Sequence, residues 1–214
     1  MYHTISDIYK TINLQQYIDN RDGCKRVGLK SFTYTLDWYN LENSTVQIIK
    51  GELFKIPPGY YNFNQLSDYL ETINITIDVN ATNGIATMTS LRDVKISTQL
   101  RNILGFITKK KLNANETYIG DMPVDFAIIK NIYVHLEQLN TYNNYFDGKH
   151  STLLGVVPIE NKKFGDITTF RFEHPEYKTL MNGTISEFKL TIRDENGKQI
   201  NNNEMPISCV LEVI

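Results

Sequence analysis

The chain has little of what membrane-bound, nucleic-acid-binding and secreted proteins usually show in sequence. No run approaches the roughly 18 consecutive apolar residues of a transmembrane helix, so we expect no membrane span. The net charge of −2 gives no overall attraction to nucleic acid, and we expect no specific nucleic-acid partner. The first ten residues lack a basic region followed by an apolar core, so we expect no secretory signal.

Sequence motifs of catalytic, metal-binding and phosphate-binding sites are also missing. Four histidines, His3, His135, His150 and His174, do not form a zinc-binding pattern. No nucleophile elbow, phosphate loop or dinucleotide-binding pattern occurs. The segment 194–197 resembles the start of a calcium loop but lacks the remaining oxygen ligands, so we interpret it as a β-turn. We therefore expect no catalytic residue, no cofactor and no metal, and predict that the chain is not an enzyme.

Cysteine is scarce, with two residues that lie far apart in the sequence, Cys24 and Cys209. They can form a disulfide only if the fold brings their Cα atoms to within about 7 Å. Two free thiols, as found in a reducing compartment, are the favoured interpretation.

What the sequence does contain is alternation of apolar and polar residues, which is typical of strands with one buried face. We assign strands to 27–38, 45–56, 75–79, 84–90, 93–97, 126–139, 153–159, 168–172, 184–193 and 206–214. We expect the first two to form a hairpin, and Asn83-Gly84 is a strong turn signal between the next pair. About ten strands predict a mainly β fold, an antiparallel β-sandwich that is jelly-roll-like.

One clear helix is predicted at about 64–73. Its apolar residues, Leu66, Tyr69, Leu70 and Ile73, recur at helical spacing on a single face. Asn62 or Asn64 can cap its start. The turn 57–59, Pro-Pro-Gly, ends the preceding strand because proline has no N–H for the ladder. A second helical turn is expected at 99–104, with Gly105 ending it in a left-handed conformation.

The domain organisation that we predict is one arm and one domain. The apolar and polar residues of 1–26 show little regular spacing. We interpret this segment as an N-terminal arm or a simple lead-in segment. The apolar residues in it, Ile5, Ile8, Ile12 and Tyr17, indicate a short amphipathic helix. Residues 27–214 are expected to form the jelly-roll-like β domain, with an insertion around 60–122 that holds the helix.

Aromatic residues in two predicted loops are the candidate interface. Tyr60 and Tyr61 follow the Pro-Pro-Gly turn, and Tyr142, Tyr145 and Phe146 lie in the polar loop 140–149. Rigid rings bury much area at little cost in conformational entropy, which favours them at protein interfaces. The alternative, in which these rings fold back over the core, is equally compatible with the sequence.

Several segments together resemble a known family. They are 27–40, the turn and helix start at 56–66, Ile-Leu-Gly-Phe at 103–106, and the ending at 185–200 and 207–213. Their order and spacing are similar to those of the penton or minor capsid proteins of virophages, Polinton-like viruses and adintoviruses. These proteins belong to the jelly-roll capsid lineage, and the resemblance covers most of the chain from residue 27 onward.

The resemblance implies a structural virion protein without enzymatic activity. Pentons of this family form five-fold rings at icosahedral vertices and contact the major capsid protein. It therefore implies a homopentamer in the virion capsid, assembled in the host cell, with the major capsid protein as its partner. The alternative is a trimeric virion spike or fibre head that binds a receptor or glycan through the aromatic loop. A β-sandwich hydrolase with two facing carboxylates is a third reading.

Overall fold

The structure is a computed structural model that describes residues 1–5, 12–49, 51–127, 129–143, 145–146, 148–159, 163–200 and 207–214. It is mainly β, and every ladder between its strands is antiparallel. The predicted fold class is confirmed. None of the helices in the described ranges is long and apolar enough to cross a membrane.

The strands are β1 (Tyr2–Ile5), β2 (Ile12–Asn20), β3 (Arg26–Thr35), β4 (Thr45–Ile48), β5 (Leu53–Lys55), β6 (Ile75–Val79), β7 (Ile85–Ser90), β8 (Val94–Ile96), β9 (Lys111–Leu112), β10 (Thr117–Pro123), β11 (Asn131–Leu136), β12 (Tyr145–Phe146), β13 (Lys149–His150), β14 (Leu153–Pro158), β15 (Ile167–Arg171), β16 (Lys178–Thr179), β17 (Gly183–Phe188), β18 (Leu190–Arg193) and β19 (Ser208–Val213). The helices are α1 (Phe63–Glu71), α2 (Thr98–Ile103) and a single 3-10 turn, Thr141–Asn143.

The chain divides into two compact units. Unit 1 consists of Met1–Asp37 and Ile129–Ile214, and unit 2 is the segment between them, Trp38–Ile128. The range 60–122, where the insertion is predicted, lies within unit 2. Unit 2 contains both α1 and α2, as well as seven strands, β4 to β10.

The N-terminal residues belong to unit 1. β1 pairs with β19 and β2 pairs with β17, so the described part of 1–26 lies largely in two ladders instead of a separate arm. The amphipathic helix predicted there is wrong. Ile5 and Ile18 are buried on strands, because pairing with distant segments outweighs a weak helical spacing. Ile8, on which that spacing partly rested, lies outside the described residues.

Unit 1 is built from two main sheets. The larger has the order β1-β19-β3-β15, with β16 also paired to β3, and the second has the order β14-β11-β18. They approach face to face at Gly155 on β14, where an added Cβ would lie 3.2 Å from the side chain of Leu29 on β3. Unit 1 contains three fully buried rings, those of Phe32 and Tyr34 on β3 and of Phe188 on β17.

A cluster of polar side chains lies on the larger sheet of unit 1 around Glu212 of β19. The hydroxyl of Tyr177 donates a hydrogen bond to Glu212, and Lys30 Nζ lies 3.6 Å from the same carboxylate. Gly28 on β3 leaves room for this contact, since an added Cβ would lie 3.0 Å from the Tyr177 ring. Tyr2, which is opposite Glu212 in the ladder, also hydrogen-bonds to it.

This cluster makes stability depend on pH at both ends of the range. Hydrogen bonds from Tyr177 and Tyr2 hold the pKa of Glu212 below its ordinary value of 4.5. Its contribution is therefore present above pH 4.5 and is lost as the pH falls through the lowered pKa. The same bonds raise the pKa of each tyrosine above 10.0. That contribution is present below pH 10 and is lost as the pH rises through the raised pKa.

We expect Glu212→Gln to flatten the fall in melting temperature between about pH 5 and pH 3, because the titrating carboxyl is gone. Calorimetry across the pH range measures this. Glu187→Gln, at an exposed position of β17, is the matched control. Its melting temperature should fall at low pH as steeply as that of the original chain. If the melting temperature of Glu212→Gln falls toward low pH as steeply as that of the original chain, the cluster does not have this role.

Unit 2 has two sheets and its own core. Their strand orders are β5-β4-β8-β9 and β10-β7-β6. The hairpin predicted at Asn83-Gly84 is confirmed, with Gly84 at a φ of +70° between β6 and β7. The fully buried side chains of the core are Leu41, Val46, Leu66, Leu70, Ala86, Met88, Leu100, Leu104, Phe106 and Leu112.

The hairpin predicted between 27–38 and 45–56 is wrong. β3 pairs with β15, β16 and β19, while β4 pairs with β5 and β8. The stretch 45–56 does not run straight, because it turns back on itself between Ile48 and Glu52. Gly51 N–H donates to the Ile48 carbonyl at 3.0 Å within this turn. The result is a local hairpin, β4 and β5, in place of one long strand.

Helix α1 begins at a capping box. Asn62 Oδ1 accepts a hydrogen bond from the Gln65 N–H at 2.9 Å, and Gln65 Oε1 accepts one from the Asn62 N–H at 3.0 Å. Two of the N–H groups that a helix start leaves without partners are thereby satisfied. Leu66 and Leu70 are fully buried, which confirms the predicted apolar face.

The two cysteines are both free thiols. Cys24 is exposed, whereas Cys209 on β19 is buried. Burial raises the pKa of the Cys209 thiol to about 12, so this thiol stays protonated at neutral pH. The two thiols are therefore unpaired in the structure, while the reducing compartment stays a prediction.

Candidate interaction surfaces

The predicted interface tyrosines of unit 2 are only partly exposed. The Tyr61 hydroxyl donates to the Pro57 carbonyl at 2.8 Å, and its backbone N–H donates to Asn40 Oδ1 at 2.8 Å. Its ring packs against the core of unit 2. Burial raises the pKa of Tyr60 as well as that of Tyr61. Tyr61 thus holds the Pro-Pro-Gly turn in place, and an interface role for these two rings stays a prediction.

The aromatic residues of the loop 140–149 lie in unit 1 and are more exposed. The short hairpin of β12 and β13 carries Phe146, which is 48 % exposed, and Tyr142 on the 3-10 turn is 80 % exposed. Tyr142 packs edge to face against His150, with 5.7 Å between ring centroids, and Phe146 packs likewise against Tyr133 at 6.0 Å. The backbone of Tyr145 belongs to β12, but its side chain lies outside the described atoms.

Phe146, Tyr133 and His150 line an open groove in unit 1 with a volume of about 450 Å³. Tyr142 contacts this lining only through His150. Strand β11 supplies part of its lining, and the turn after β18 and the loop 141–152 supply the rest. Its principal side chains are Tyr133, His135, Phe146, His150, Arg193 and Glu195. The groove exists because β11 pairs with β18, which sets Tyr133 opposite Arg193 in the ladder.

The histidines of the groove are held in place by hydrogen bonds. His135 Nδ1 lies 3.1 Å from Thr152 Oγ1, and His150 Nδ1 lies 2.7 Å from the Thr141 carbonyl oxygen. Burial, and then the positive charge of Arg193, lower the pKa of His135. His135 is therefore neutral at pH 7, and its ring can accept or donate one hydrogen bond on each nitrogen according to its tautomer.

The charged residues of the groove are anchored by their own turn. Arg193 Nη1 donates to the Gly197 carbonyl at 2.9 Å. Asp194 Oδ1 accepts from the backbone N–H groups of Asn196 and Lys198, at 2.9 and 2.8 Å. Glu195 Oε1 accepts from the Lys130 N–H at 3.1 Å. Each side chain is thus oriented through one of its polar atoms.

The sequence pointed to only part of this surface. It indicated Phe146 and Tyr142, and it identified 194–197 as a β-turn, which the structure confirms. It did not connect that turn to the aromatic loop, and it did not indicate that His135 lines the same groove. The only available signal was the strand pattern of 131–136 and 190–193, whose pairing no local pattern reveals.

A metal site is not evident in the described part of the chain. No group of three or more His, Cys, Asp or Glu side chains within those ranges is placed to hold an ion. His135 and His150 both line the groove, yet their ring nitrogens make the hydrogen bonds given above.

Comparison with known proteins places the fold. No protein-family model matches the sequence, and no curated protein matches it either. Among solved structures, the crystal structure of the mavirus penton protein matches with a TM-score of 0.55 and 13% identity. That match covers 100% of this chain and 99% of the other. The chain has the fold of a penton protein. The resemblance stated from the sequence is thus confirmed for the fold.

A second match is a chain of the Sputnik virophage structure determined by cryo-EM. Its TM-score is 0.46 with 11% identity, over 100% of this chain and 96% of that one. The match to the mavirus penton protein spans nearly the whole of both chains, so unit 1 and unit 2 both fall within its length.

Proposed function

We propose that this chain is a structural subunit of a virion capsid, a penton that assembles as a ring of five copies at the icosahedral vertices. The observation that carries the proposal is the fold match to the mavirus penton protein over the full length of both chains. The major capsid protein of the same virus is the partner that such a subunit would contact. No residue of the described chain is assigned a catalytic role.

The surface of unit 2 supports association with other chains. Ile107, Ile119 and Met122 are each more than half exposed. Ile119 and Met122 lie on β10, which is an edge of its sheet. Edge strands with exposed apolar side chains are templates for pairing with another chain, and isolated folded domains usually protect them. Closed rings of identical subunits are a common way to cover such a surface.

The aromatic rings of unit 1 are a second surface for assembly. Tyr142 and Phe146 are exposed enough to bury area against a neighbouring molecule, whereas Tyr61 is engaged within unit 2. Exposed rings at the centre of an interface contribute most of its binding energy in many complexes. The predicted interface is therefore proposed to lie mainly at Tyr142 and Phe146.

Light scattering coupled to size-exclusion chromatography tests the proposed assembly. The monomer has a mass of 24.7 kDa, so a ring of five gives about 124 kDa and a trimeric spike about 74 kDa. We expect the larger mass, either for the chain alone or for the chain co-expressed with its major capsid protein. A chain that stays monomeric in both preparations, and does not co-elute with that protein, would contradict the proposal.

A further inference from the structure

Two surfaces of unit 2 lie at opposite edges of one sheet. The sheet has the order β10-β7-β6, so β10 and β6 are its edges. Helix α1 packs against β6. The loop 107–110 is held on β10, because the N–H and Oγ1 of Thr108 both donate to the Asp121 carboxylate, at 2.8 and 2.9 Å. Identical copies that join head to tail need two different surfaces of this kind on each copy.

The surface at the β10 edge combines apolar and positively charged side chains. Its exposed members, called the β10 surface below, are Ile107, Lys109, Lys110, Ile119 and Met122. Lys111, the next residue of the loop, forms an ion pair with Asp93 at 3.2 Å. Among the described residues, by contrast, no carboxylate lies within ion-pair distance of either lysine of the β10 surface. These two charges are therefore available to a neighbouring molecule.

A buried guanidinium adds positive charge beneath the same loop. Arg101 on α2 is buried, and its Nη1 donates to the Ile107 carbonyl at 2.9 Å, while its Nη2 donates to Thr98 Oγ1 at 3.2 Å. Neither acceptor is charged, and no described carboxylate forms an ion pair with Arg101. Water and salt screen a buried charge less than an exposed one. The loop is therefore positive beyond what its own lysines provide.

The last turn of α1 carries negative charge where a helix does not favour it. Asp68 and Glu71 lie in this turn, both are exposed, and the turn has no basic residue. Because the carboxyl end of a helix is the negative end of its dipole, cations stabilise it and carboxylates do not. From Ile56 to Leu91 the sequence contains no lysine or arginine that could offset these charges. A cation from another chain would do so.

The two surfaces are therefore complementary in charge and lie at opposite edges of the sheet. From this we infer that the β10 surface of one copy docks on the last turn of α1 in a second copy. Its two lysines face Asp68 and Glu71 of the neighbour, and its apolar side chains are covered by the contact. The inference rests on the proposed association of identical copies. It names the surfaces that meet, whatever the number of copies in the assembly.

Zero-length crosslinking tests which surfaces meet in the full-length chain. A carbodiimide joins a lysine amine to a carboxylate that is in contact with it. Isotope-labelled and unlabelled chains are mixed in equal amounts while dilute, concentrated, crosslinked and analysed by mass spectrometry. We expect crosslinks between copies of different label that join Lys109 or Lys110 to Asp68 or Glu71. Crosslinks within one copy, which carry a single label, do not count.

Charge reversal then measures the contribution of this contact. We expect Lys109→Glu with Lys110→Glu to raise the concentration at which half of the chains are associated by about tenfold, since like charges then face each other. Adding Asp68→Lys and Glu71→Lys to the same chain should restore association, because the charges are exchanged and not removed. Sedimentation velocity over a dilution series gives this concentration, and circular dichroism checks that each variant is folded.

The matched control reverses two lysines of unit 1. Lys25→Glu with Lys163→Glu changes the net charge by the same amount at two exposed positions, so it should leave association unchanged. If it weakens association as much as the reversal on the β10 surface does, net charge is the cause and the inference fails.

The outcomes separate this inference from the proposed ring of five. A ring of five without the expected crosslinks, or with the lysines of the β10 surface joined to the major capsid protein instead, overturns the inference and leaves the ring intact. The expected crosslinks in a trimer would contradict the ring of five and support the inference. A chain that does not associate in any preparation contradicts both.

Discussion

Gly105→Ala is expected to lower the free energy of unfolding of unit 2 by about 3–5 kcal/mol. Gly105 has a φ of +77°, which is strained for alanine. An added Cβ would also lie 2.0 Å from the Met122 carbonyl oxygen. The backbone cannot easily move away, because the Gly105 carbonyl accepts hydrogen bonds from Asp121 N–H at 2.7 Å and Met122 N–H at 3.1 Å.

Gly197→Ala separates the two causes of that loss. Gly197 also has a φ of +77°, but no atom lies within 4 Å of its added Cβ. This variant should lose only about 1–2 kcal/mol, the cost of the left-handed backbone. Urea denaturation followed by Trp38 fluorescence and circular dichroism measures both variants. Equal losses for the two glycines would show that the contact between Gly105 and β10 is not as tight as the structure has it.

Asn20→Ala is expected to destabilise unit 1 by about 3 kcal/mol. Asn20 is fully buried at the end of β2. Its Nδ2 donates to the carbonyls of Leu180 and Met181 at 3.1 and 2.9 Å, and its Oδ1 accepts from the Lys25 N–H at 2.7 Å. Alanine would leave the buried Leu180 carbonyl, and the partly buried Met181 carbonyl and Lys25 N–H, without this partner. Thermal unfolding by calorimetry and chemical denaturation give the loss directly.

Asn13→Ala is the matched control for that prediction. Asn13 is an asparagine on the same strand, and its side chain is exposed. Its replacement should change the stability by no more than about 0.5 kcal/mol. A loss of less than about 1 kcal/mol for Asn20→Ala would mean that water or a shifted backbone readily replaces the amide.

Local features of the fold were predictable because their causes lie within a few residues. The cap at Asn62, the apolar face of α1, the Asn83-Gly84 hairpin and the left-handed Gly105 all follow from neighbouring residue types. Each depends on the geometry of one turn of chain. The resemblance to penton proteins also rested on these short segments, and it was confirmed for the fold.

Distant pairings were not predictable for the same reason. β3 pairs with β15 and β19, more than 130 residues away, and any alternating strand offers the same pattern to many partners. A hairpin with the next segment was the natural expectation, and it was wrong because β4 and β5 already pair with each other. β1 and β2 were missed as well, since their partners β19 and β17 lie at the far end of the chain.

The candidate groove also combines features that the sequence predicts with features that depend on distant strand pairing. The exposed rings of the loop 140–149 could be identified from residue type alone. Tyr133 and Arg193 could not, because only the pairing of β11 with β18 brings them together. The anchoring of Glu195 by the Lys130 N–H joins residues that are 65 positions apart. Sites built across strands depend on the register of the sheet, which local sequence patterns do not predict.

Cryo-EM of capsids assembled from this chain and its major capsid protein tests the central proposal most directly. The two proteins are co-expressed, and the particles are reconstructed with and without imposed symmetry. We expect density for five copies of this chain in a closed ring at each five-fold vertex. Density at three-fold positions, trimeric spikes on the outer surface, or complete capsids that exclude the chain would contradict the proposed role as a penton.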